Sequence, residues 1–232
     1  MQGVILAGGK GTRLQPLTNS VPKLLIEINN EPLIAHLLRH LKQNGCNDII
    51  ICTGHLGDKI SHHLETNSYD MTIHQSRETK PLGTGGALES IKNSLEDDFF
   101  ILYGDVYTSI DLNKMHEFHK KKNAAITAVI HPTSHPEDSD LVELDSNFRI
   151  TRILKKPNNQ IPINPHSLAA IYIGNSQIKN FLNIDTPFDI AHDLLPKLLD
   201  ENIPVFGYNT SELIMDIGTH ERLKKAQKLL KT

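Results

Sequence analysis

The sequence predicts an α/β protein with a mainly parallel sheet, and three observations carry that prediction. Short apolar runs alternate with helical periods along the first half of the chain. That alternation calls for parallel strands joined by right-handed crossovers. The runs themselves, such as Val4 to Ala7 and Ile49 to Cys52, are unbroken, as in strands covered on both faces. Glycines follow the first run at once, the signature of a buried strand feeding a phosphate-type loop.

The elements follow in order. After Val4–Ala7, the apolar positions Leu33, Leu37, Leu38 and Leu41 trace one helical face; Pro32 suits the first turn and Gly45 the stop. Asp48 to Cys52 reads as a second buried strand, followed by a helix over about 56–66 and a strand over 71–75. Gly85 to Leu95 reads as helical, and Phe99 to Tyr103 is a buried strand ending at Gly104-Asp105. Asp111 is placed to cap a helix running to about Lys122, its carboxylate accepting from the free amides there. Four further strands, Ala124 to Ile130, Leu141 to Leu144, Ile150 to Leu154 and Leu168 to Ile173, are separated by turn-rich loops and have an antiparallel character. Helices return at about 187–200 and 219–231. In the last, Thr219 is the expected cap and Leu223, Ala226, Leu229 and Leu230 the inward stripe. With no repeat, linker or low-complexity tract, the expectation is one domain over 1–232: a parallel core with a small β-rich region.

Composition narrows the function. The chain has 232 residues with 24 Lys+Arg against 27 Asp+Glu, a formal net charge of −3, and is 38% apolar and 22% charged. That is globular, and a chain this long buries roughly 70–75% of its unfolded surface. A near-neutral balance argues against a nucleic-acid protein working through a basic face. The apolar runs fall far short of the ~18 residues a membrane span needs. The start Met1-Gln2-Gly3-Val4 has no basic stretch before an apolar core. Cys46 and Cys52 form neither a C-x-x-C pair nor a disulfide framework and are expected as reduced core thiols, so the expected location is cytoplasmic.

The most informative segment is Leu6-Ala7-Gly8-Gly9-Lys10-Gly11-Thr12-Arg13-Leu14, with Pro22-Lys23 nine residues later. Glycines there let the backbone approach a ligand with amides free to face an anion, and Arg13 and Lys23 add two cations, which suits a triphosphate. A Walker loop fails, because Lys10 is followed by Gly11 rather than Ser or Thr. The dinucleotide fingerprint fails at its third glycine, where Leu14 stands, although Glu31 lies at a tolerable distance for a ribose acid.

This opening resembles the sugar-1-phosphate nucleotidyltransferase family over Val4 to Leu14 and at Pro22-Lys23. The resemblance continues, in family order, through Pro81-Leu82-Gly83-Thr84-Gly85-Gly86-Ala87-Leu88, Gly104-Asp105, Lys156-Pro157 and Asp216-Ile217-Gly218-Thr219. The run His131 to Leu141, which includes Ser134, is similar to a subgroup near the mannose- and heptose-1-phosphate guanylyltransferases. The resemblance implies a Rossmann-like fold of nucleotide-diphospho-sugar transferase type with a small β-rich sugar-binding region. It implies a nucleoside triphosphate and a sugar 1-phosphate as partners, without nucleic acid or membrane, and leaves room for a homodimer.

The implied reaction is attack of a sugar-1-phosphate oxygen on the α-phosphorus of the triphosphate, releasing pyrophosphate. The nucleophile is already an anion, so positioning and electrostatics must do most of the work. Mg²⁺, which suits few protein ligands and several waters, is the expected cofactor. Asp105 and Asp216, both expected at strand ends, match the family's metal-holding residues. By the same carry-over, Arg13 and Lys23 with Asp105 form the catalytic set. Leu6, Ala7, Gly8, Gly9, Gly11, Thr12, Arg13, Lys23, Pro81, Gly83, Thr84 and Gly85 face the nucleotide, with Gly83 to Gly86 kept bare for a flat ring. Gly104, Lys156 and Asp216 face the sugar phosphate. Two departures fall on the sugar side. Lys155 stands where the family commonly has an acid, and Leu168-Ala169-Ala170 stands for an Asn, a small residue and Gly.

Other chemistries find little support. His62-His63 cannot face one ion together, His131 and His135 sit in a turn-rich loop, and most of the 13 histidines are expected at the surface. Ser134, Ser139 and Ser176 lack a nucleophile-elbow context. Lys120-Lys121-Lys122 reads as a solvated helix end that complements the dipole. GTP with a mannose- or heptose-type 1-phosphate is the leading expectation. The alternatives are thymidylyl, uridylyl or cytidylyl transfer to glucose-type or amino-sugar phosphates, a non-catalytic nucleotide-sugar sensor, and an NAD-type oxidoreductase, the last disfavoured by Leu14.

Overall fold

The computed structural model describes residues 1–133, 135–158, 161–183 and 187–230; Ser134, and Lys231 of the expected last helix, lie outside the described residues. The chain opens with β1 (Gln2–Ala7), β2 (Glu27–Ile28), β3 (Glu31–Pro32) and α1 (Leu33–Gln43). It continues through β4 (Asp48–Thr53), α2 (Gly57–Thr66), β5 (Thr72–Arg77), α3 (Gly83–Ser90), β6 (Asp98–Tyr103), β7 (Val106–Thr108) and α4 (Leu112–Lys121). The remainder is β8 (Ile126–Pro132), β9 (Leu141–Leu144), β10 (Ile150–Leu154), β11 (His166–Asn175), α5 (Leu195–Asp200), β12 (Val205–Asn209), β13 (Ile214–Asp216) and α6 (His220–Leu229). These elements form two compact units: the first takes Met1–Pro81, Leu102–Ile110 and the stretch from Glu212 onward, the second Leu82–Ile101 and Asp111–Ser211.

The α/β expectation is borne out in the first unit. There β1, β4 and β5 run parallel, with Val4 opposite Ile50 and Ile50 opposite His74. Helix α1 buries Leu33, Ile34, Leu37, Leu38 and Leu41. A Cβ on Gly3 would stand 2.9 Å from Ile49 Cδ1 and 3.1 Å from Leu41 Cδ1, so the bare strand is what admits the helix. Gly45, at φ 81°, ends α1 as expected. Thr219 caps α6 by accepting the Arg222 N–H at 3.3 Å. Leu223 and Ala226 face inward, but Leu229 is 56% exposed rather than part of the inward stripe. Each step of three residues turns the helix back by about 60°, so the third member of that series has left the buried face.

The second unit has the antiparallel character expected of the later strands. β11 pairs antiparallel with β8, β9 pairs antiparallel with β10, and β12 lies parallel to β8. A bulge in β11 falls between Leu168 and Tyr172, and Ala170 there has φ 57°. Asp111 caps α4, accepting the Lys114 N–H at 3.0 Å. Of the lysines at the end of α4, Lys120 pairs with Asp98 at 2.9 Å and Lys122 lies over the Phe118 and Phe206 rings, so this end is not simply solvated.

Two expected helices are reshaped. The one expected over Gly85 to Leu95 starts at Gly83 and gives way after Ser90 to a 3-10 turn at Lys92–Ser94. Its early start follows from the Phe188 carbonyl, which accepts from Gly85 N (2.8 Å) and Gly86 N (3.0 Å). The helix expected over 187–200 begins as a π-turn at Ile190–Leu194 before α5. Asp189 Oδ1 accepts from Ala191 N and His192 N at 2.9 and 3.0 Å, and Leu194 N reaches back to Asp189 O at 3.0 Å. Pro196 has no N–H to offer the His192 carbonyl, which frees that oxygen for another donor.

Both cysteines are buried and in no disulfide, as expected, and burial pushes the Cys52 thiol up to about 12. His119 is an exception among the histidines: it is buried, with Nδ1 2.9 Å from Thr127 Oγ1. No described helix is long and apolar enough to cross a membrane.

Candidate functional site

The loop after β1 belongs to the first unit, and its shape follows from its glycines. Gly11 is left-handed (φ 66°), a conformation that suits glycine, and a Cβ there would stand 2.8 Å from Thr18 Cγ2. Buried Thr18 donates its hydroxyl to Gly11 O at 2.8 Å and fixes the turn. A Cβ on Gly9 would meet no protein atom within 4 Å, so this stretch of main chain stands open. Thr12 and Arg13 are exposed, while Leu14 points into the core and anchors the loop.

Strand β6 ends beside β1. The Gly104 N–H donates to Leu6 O at 2.8 Å, and a Cβ at Gly104 would stand 3.1 Å from that oxygen and from Ala7 Cβ. Gly104 is therefore bare because two strand ends meet there. The next residue, Asp105, receives the Lys23 ammonium on Oδ2 at 2.6 Å, with the two side chains only 21% and 19% exposed. A charge-assisted bond this sheltered contributes about 1.5–3 kcal/mol.

Asp105 and Asp216 are brought together by a short ribbon. β13 pairs antiparallel with β7, placing Asp216 opposite Val106, and the Ile217 N–H donates to Asp105 O at 2.9 Å. Asp216 Oδ1 accepts the Gly218 N–H at 2.5 Å and Oδ2 accepts from Arg222 Nη1. A Cβ on Gly218 would stand 3.0 Å from Arg13 Nη2, which places the loop arginine at the same corner. Four of the expected residues, Arg13, Lys23, Asp105 and Asp216, thus share one part of the first unit. Arg222 joins them unexpectedly; its only sequence signal is its place in the first turn of α6, directly after the Asp216 block.

Among the described residues no cluster of three or more His, Cys, Asp or Glu side chains is arranged to hold a metal. The donor set still fits Mg²⁺: two part-exposed carboxylates carried on one backbone ribbon are what an ion that keeps several waters and takes phosphate oxygens requires. Each carboxylate carries a protein cation, Lys23 on Asp105 and Arg222 on Asp216.

Glu78, which the sequence did not single out, lies against the same loop. A Cβ on Gly8 would stand 2.4 Å, and one on Gly54 2.6 Å, from Glu78 Oε1. Both glycines are therefore bare to admit a carboxylate.

The remaining expected residues are Pro81, exposed at the end of the first segment of the first unit, and a group in the second unit. A Cβ on Gly83 (φ 77°) would stand 2.5 Å from Phe188 O, and one on Gly85 2.5 Å from Phe188 Cδ1. Phe188 occupies the space that a Cβ on either glycine would take, so this packing by itself already requires both to be bare. The Thr84 hydroxyl donates to Asp189 Oδ2 at 2.7 Å and accepts the Ile190 N–H at 2.8 Å. Lys156 donates its backbone N–H to Asp140 Oδ1 at 3.2 Å, with its ammonium 4.0 Å from Oδ2. Asp140 and Asp189 were not foreseen; Asp189, just before a helical run, carried the usual sequence signal of a cap.

A family profile described as nucleotidyl transferase matches residues 2–232. The chain belongs to the nucleotidyl transferase family. The chain is 32% identical over 228 residues to the mannose-1-phosphate guanyltransferase of Yarrowia lipolytica, covering 94% of this chain and 61% of that protein. It is 29% identical over 233 residues to the UTP–glucose-1-phosphate uridylyltransferase of Synechocystis, covering 94% and 60%. The chain thus spans about three fifths of the length of these relatives. Among solved structures, HddC from Yersinia pseudotuberculosis complexed with GMP-PN superposes with a TM-score of 0.82 at 25% identity, covering 99% of each chain. The fold is also that of a UDP-glucose pyrophosphorylase complexed with UDP-glucose, with a TM-score of 0.87 at 19% identity.

Proposed function

We propose that the chain acts as one nucleotidyltransferase domain that joins a nucleoside triphosphate to a sugar 1-phosphate. The observation that carries this reading is the corner where Asp105 and Asp216 meet Arg13 and Lys23 beside an open glycine loop. A bond forms between an acceptor phosphate oxygen and the α-phosphorus; the α–β bridge breaks, and its electron pair leaves with pyrophosphate. No proton need be removed from the nucleophile, so the residues neutralise and position charge. Arg13 takes the triphosphate, Lys23 meets charge growing at the α-phosphate, and the bare amides of Gly8, Gly9 and Gly11 face the phosphates. Asp105 and Asp216 would hold Mg²⁺, which supplies further neutralisation when bound. Leu6, Ala7 and Thr12 shape the triphosphate cradle, Pro81 and Gly83 to Gly85 line the base, and Gly104 and Lys156 take the acceptor.

We infer guanine as the base. Glu78 places a carboxylate, a pure acceptor, against Gly8 and Gly54 of the loop unit. Guanine presents adjacent N–H donors on one edge, whereas uracil and thymine offer one donor between two carbonyls, which a carboxylate repels. The names of several relatives support a mannose-type acceptor. The test is a matrix of five triphosphates against a panel of sugar 1-phosphates, scored by pyrophosphate release. GTP with mannose 1-phosphate or a heptose analogue should lead, and no release from any pair would remove the enzymatic reading. Glu78→Gln should narrow the ratio of kcat/KM for GTP over UTP at least tenfold, because it exchanges half of the acceptor pair for a donor.

A further inference from the structure

Inside the second unit, a single short segment touches both groups of residues assigned to the substrates. At one end, Phe188 accepts the Gly85 and Gly86 N–H groups on its carbonyl (2.8 and 3.0 Å) and donates its own N–H to Leu82 O at 2.8 Å. Asp189 holds the Thr84 hydroxyl at 2.7 Å, and Ile190 N donates back to that hydroxyl at 2.8 Å. The glycine turn is thus held by five hydrogen bonds to three consecutive residues.

At the other end the same segment carries His192. Its carbonyl, freed by Pro196, accepts the Lys155 ammonium at 2.5 Å. Its ring Nε2 is buried, makes no hydrogen bond among the described residues, and stands 3.0 Å from Asp140 Oδ1, the same oxygen that accepts the Lys156 N–H. Between the two ends lies the π-turn, closed by Leu194 N on Asp189 O and by the Asp189 cap. Such turns are uncommon and concentrate at functional positions. The turn is tied by side-chain bonds to Thr84 at one end and to Lys155 at the other, so it offers a continuous bonded route between the two contact groups.

We propose that segment Phe188–Leu194 couples the two substrates, with Asp189 and His192 as positioning residues: seating of the triphosphate against Gly83–Gly85 sets Lys156, through His192 and Asp140, for the acceptor phosphate. The inference rests on the assignment of those glycines and Lys156 to their substrates. It concerns the affinity of one ligand in the presence of the other, which must be reciprocal. A chain of contacts is only a route until coupling is measured across it.

The measurement is calorimetric titration of wild type with mannose 1-phosphate, with and without the α,β-methylene analogue of whichever triphosphate the pyrophosphate matrix favours. Wild type should bind the acceptor at least about fivefold more tightly when the analogue is present. Lys155→Met with His192→Leu severs the acceptor-side link, and the gain should fall to within about twofold of none while analogue affinity alone is unchanged. The ratio cancels any direct loss of positive charge beside the acceptor, and a merely structural role for His192 would lower both acceptor affinities together. Lys155→Met alone, a milder change that keeps the ring contact, should leave an intermediate gain and decides the matter if the double variant fails to fold. An undiminished gain in folded variants, or no gain in wild type, overturns the coupling while the enzymatic reading stands. If no pair in the matrix releases pyrophosphate, the enzymatic reading and the coupling fall together.

Discussion

Lys23 and Arg222 each neutralise one of the two aspartates proposed to hold the metal, and this sets what single substitutions do. Asp105→Asn removes the charge that Lys23 faces at 2.6 Å and a proposed donor for the divalent ion. Turnover should fall at least a hundredfold, the order expected for lost charge stabilisation, with an unchanged far-ultraviolet circular dichroism spectrum; near-normal pyrophosphate release would refute the metal-holding assignment. His119 makes a different kind of prediction. Burial lowers its folded pKa to about 4 from an ordinary 6.5, so the folded chain binds fewer protons than the unfolded chain between those values. Stability therefore falls as pH drops below about 6.5, by on the order of 3 kcal/mol at pH 4. Denaturant midpoints across that window should show the slope, and His119→Gln should flatten it. Asp105 and Asp216 were legible because each ends an apolar run, whereas Glu78 was not. Its place against the loop is set by Gly8 and Gly54, which lie far from it in sequence and become its neighbours only when β1, β4 and β5 align.

At the scale of elements, what the sequence displayed well was anything governed by local periodicity or capping. The parallel strands, α1 with its Gly45 stop, and the caps Asp111 and Thr219 all depend on residues within a few positions of one another. The π-turn and the early start of α3 were hidden because each is stabilised by a partner about a hundred positions away. The departure at Leu168-Ala169-Ala170 now has a backbone meaning. It lies in the β11 bulge, where Ala170 occupies a left-handed conformation that glycine adopts without strain. Ala170→Gly should raise stability by about 0.5–1 kcal/mol, the relief of strain less the extra freedom of the unfolded chain. Equal or lower denaturant midpoints in the variant would show that the bulge is not strained.

Across the whole molecule, a net charge of −3 must coexist with the proposed site for two polyanions, so favourable charge has to be local. Removing divalent ions with EDTA should abolish pyrophosphate release, and added Mg²⁺ should restore it; turnover that survives chelation would leave the aspartates without their proposed task. The absence of any linker-like tract is explained by the path of the chain, which passes between its two compact units at 81/82, 101/102, 110/111 and 211/212, once within β6 itself. No composition shift marks a boundary crossed in the middle of a strand. The ribbon that unites Asp105 with Asp216 has a consequence for biogenesis. On the ribosome, β7 waits for its partner until Ile214–Asp216 has emerged, so a nascent chain holds a finished glycine loop long before it can position both acids. Catalytic competence should arrive late and abruptly during synthesis, and a messenger cut short before codon 214 should yield a product that retains β1, β4 and β5 yet has no capacity for transfer.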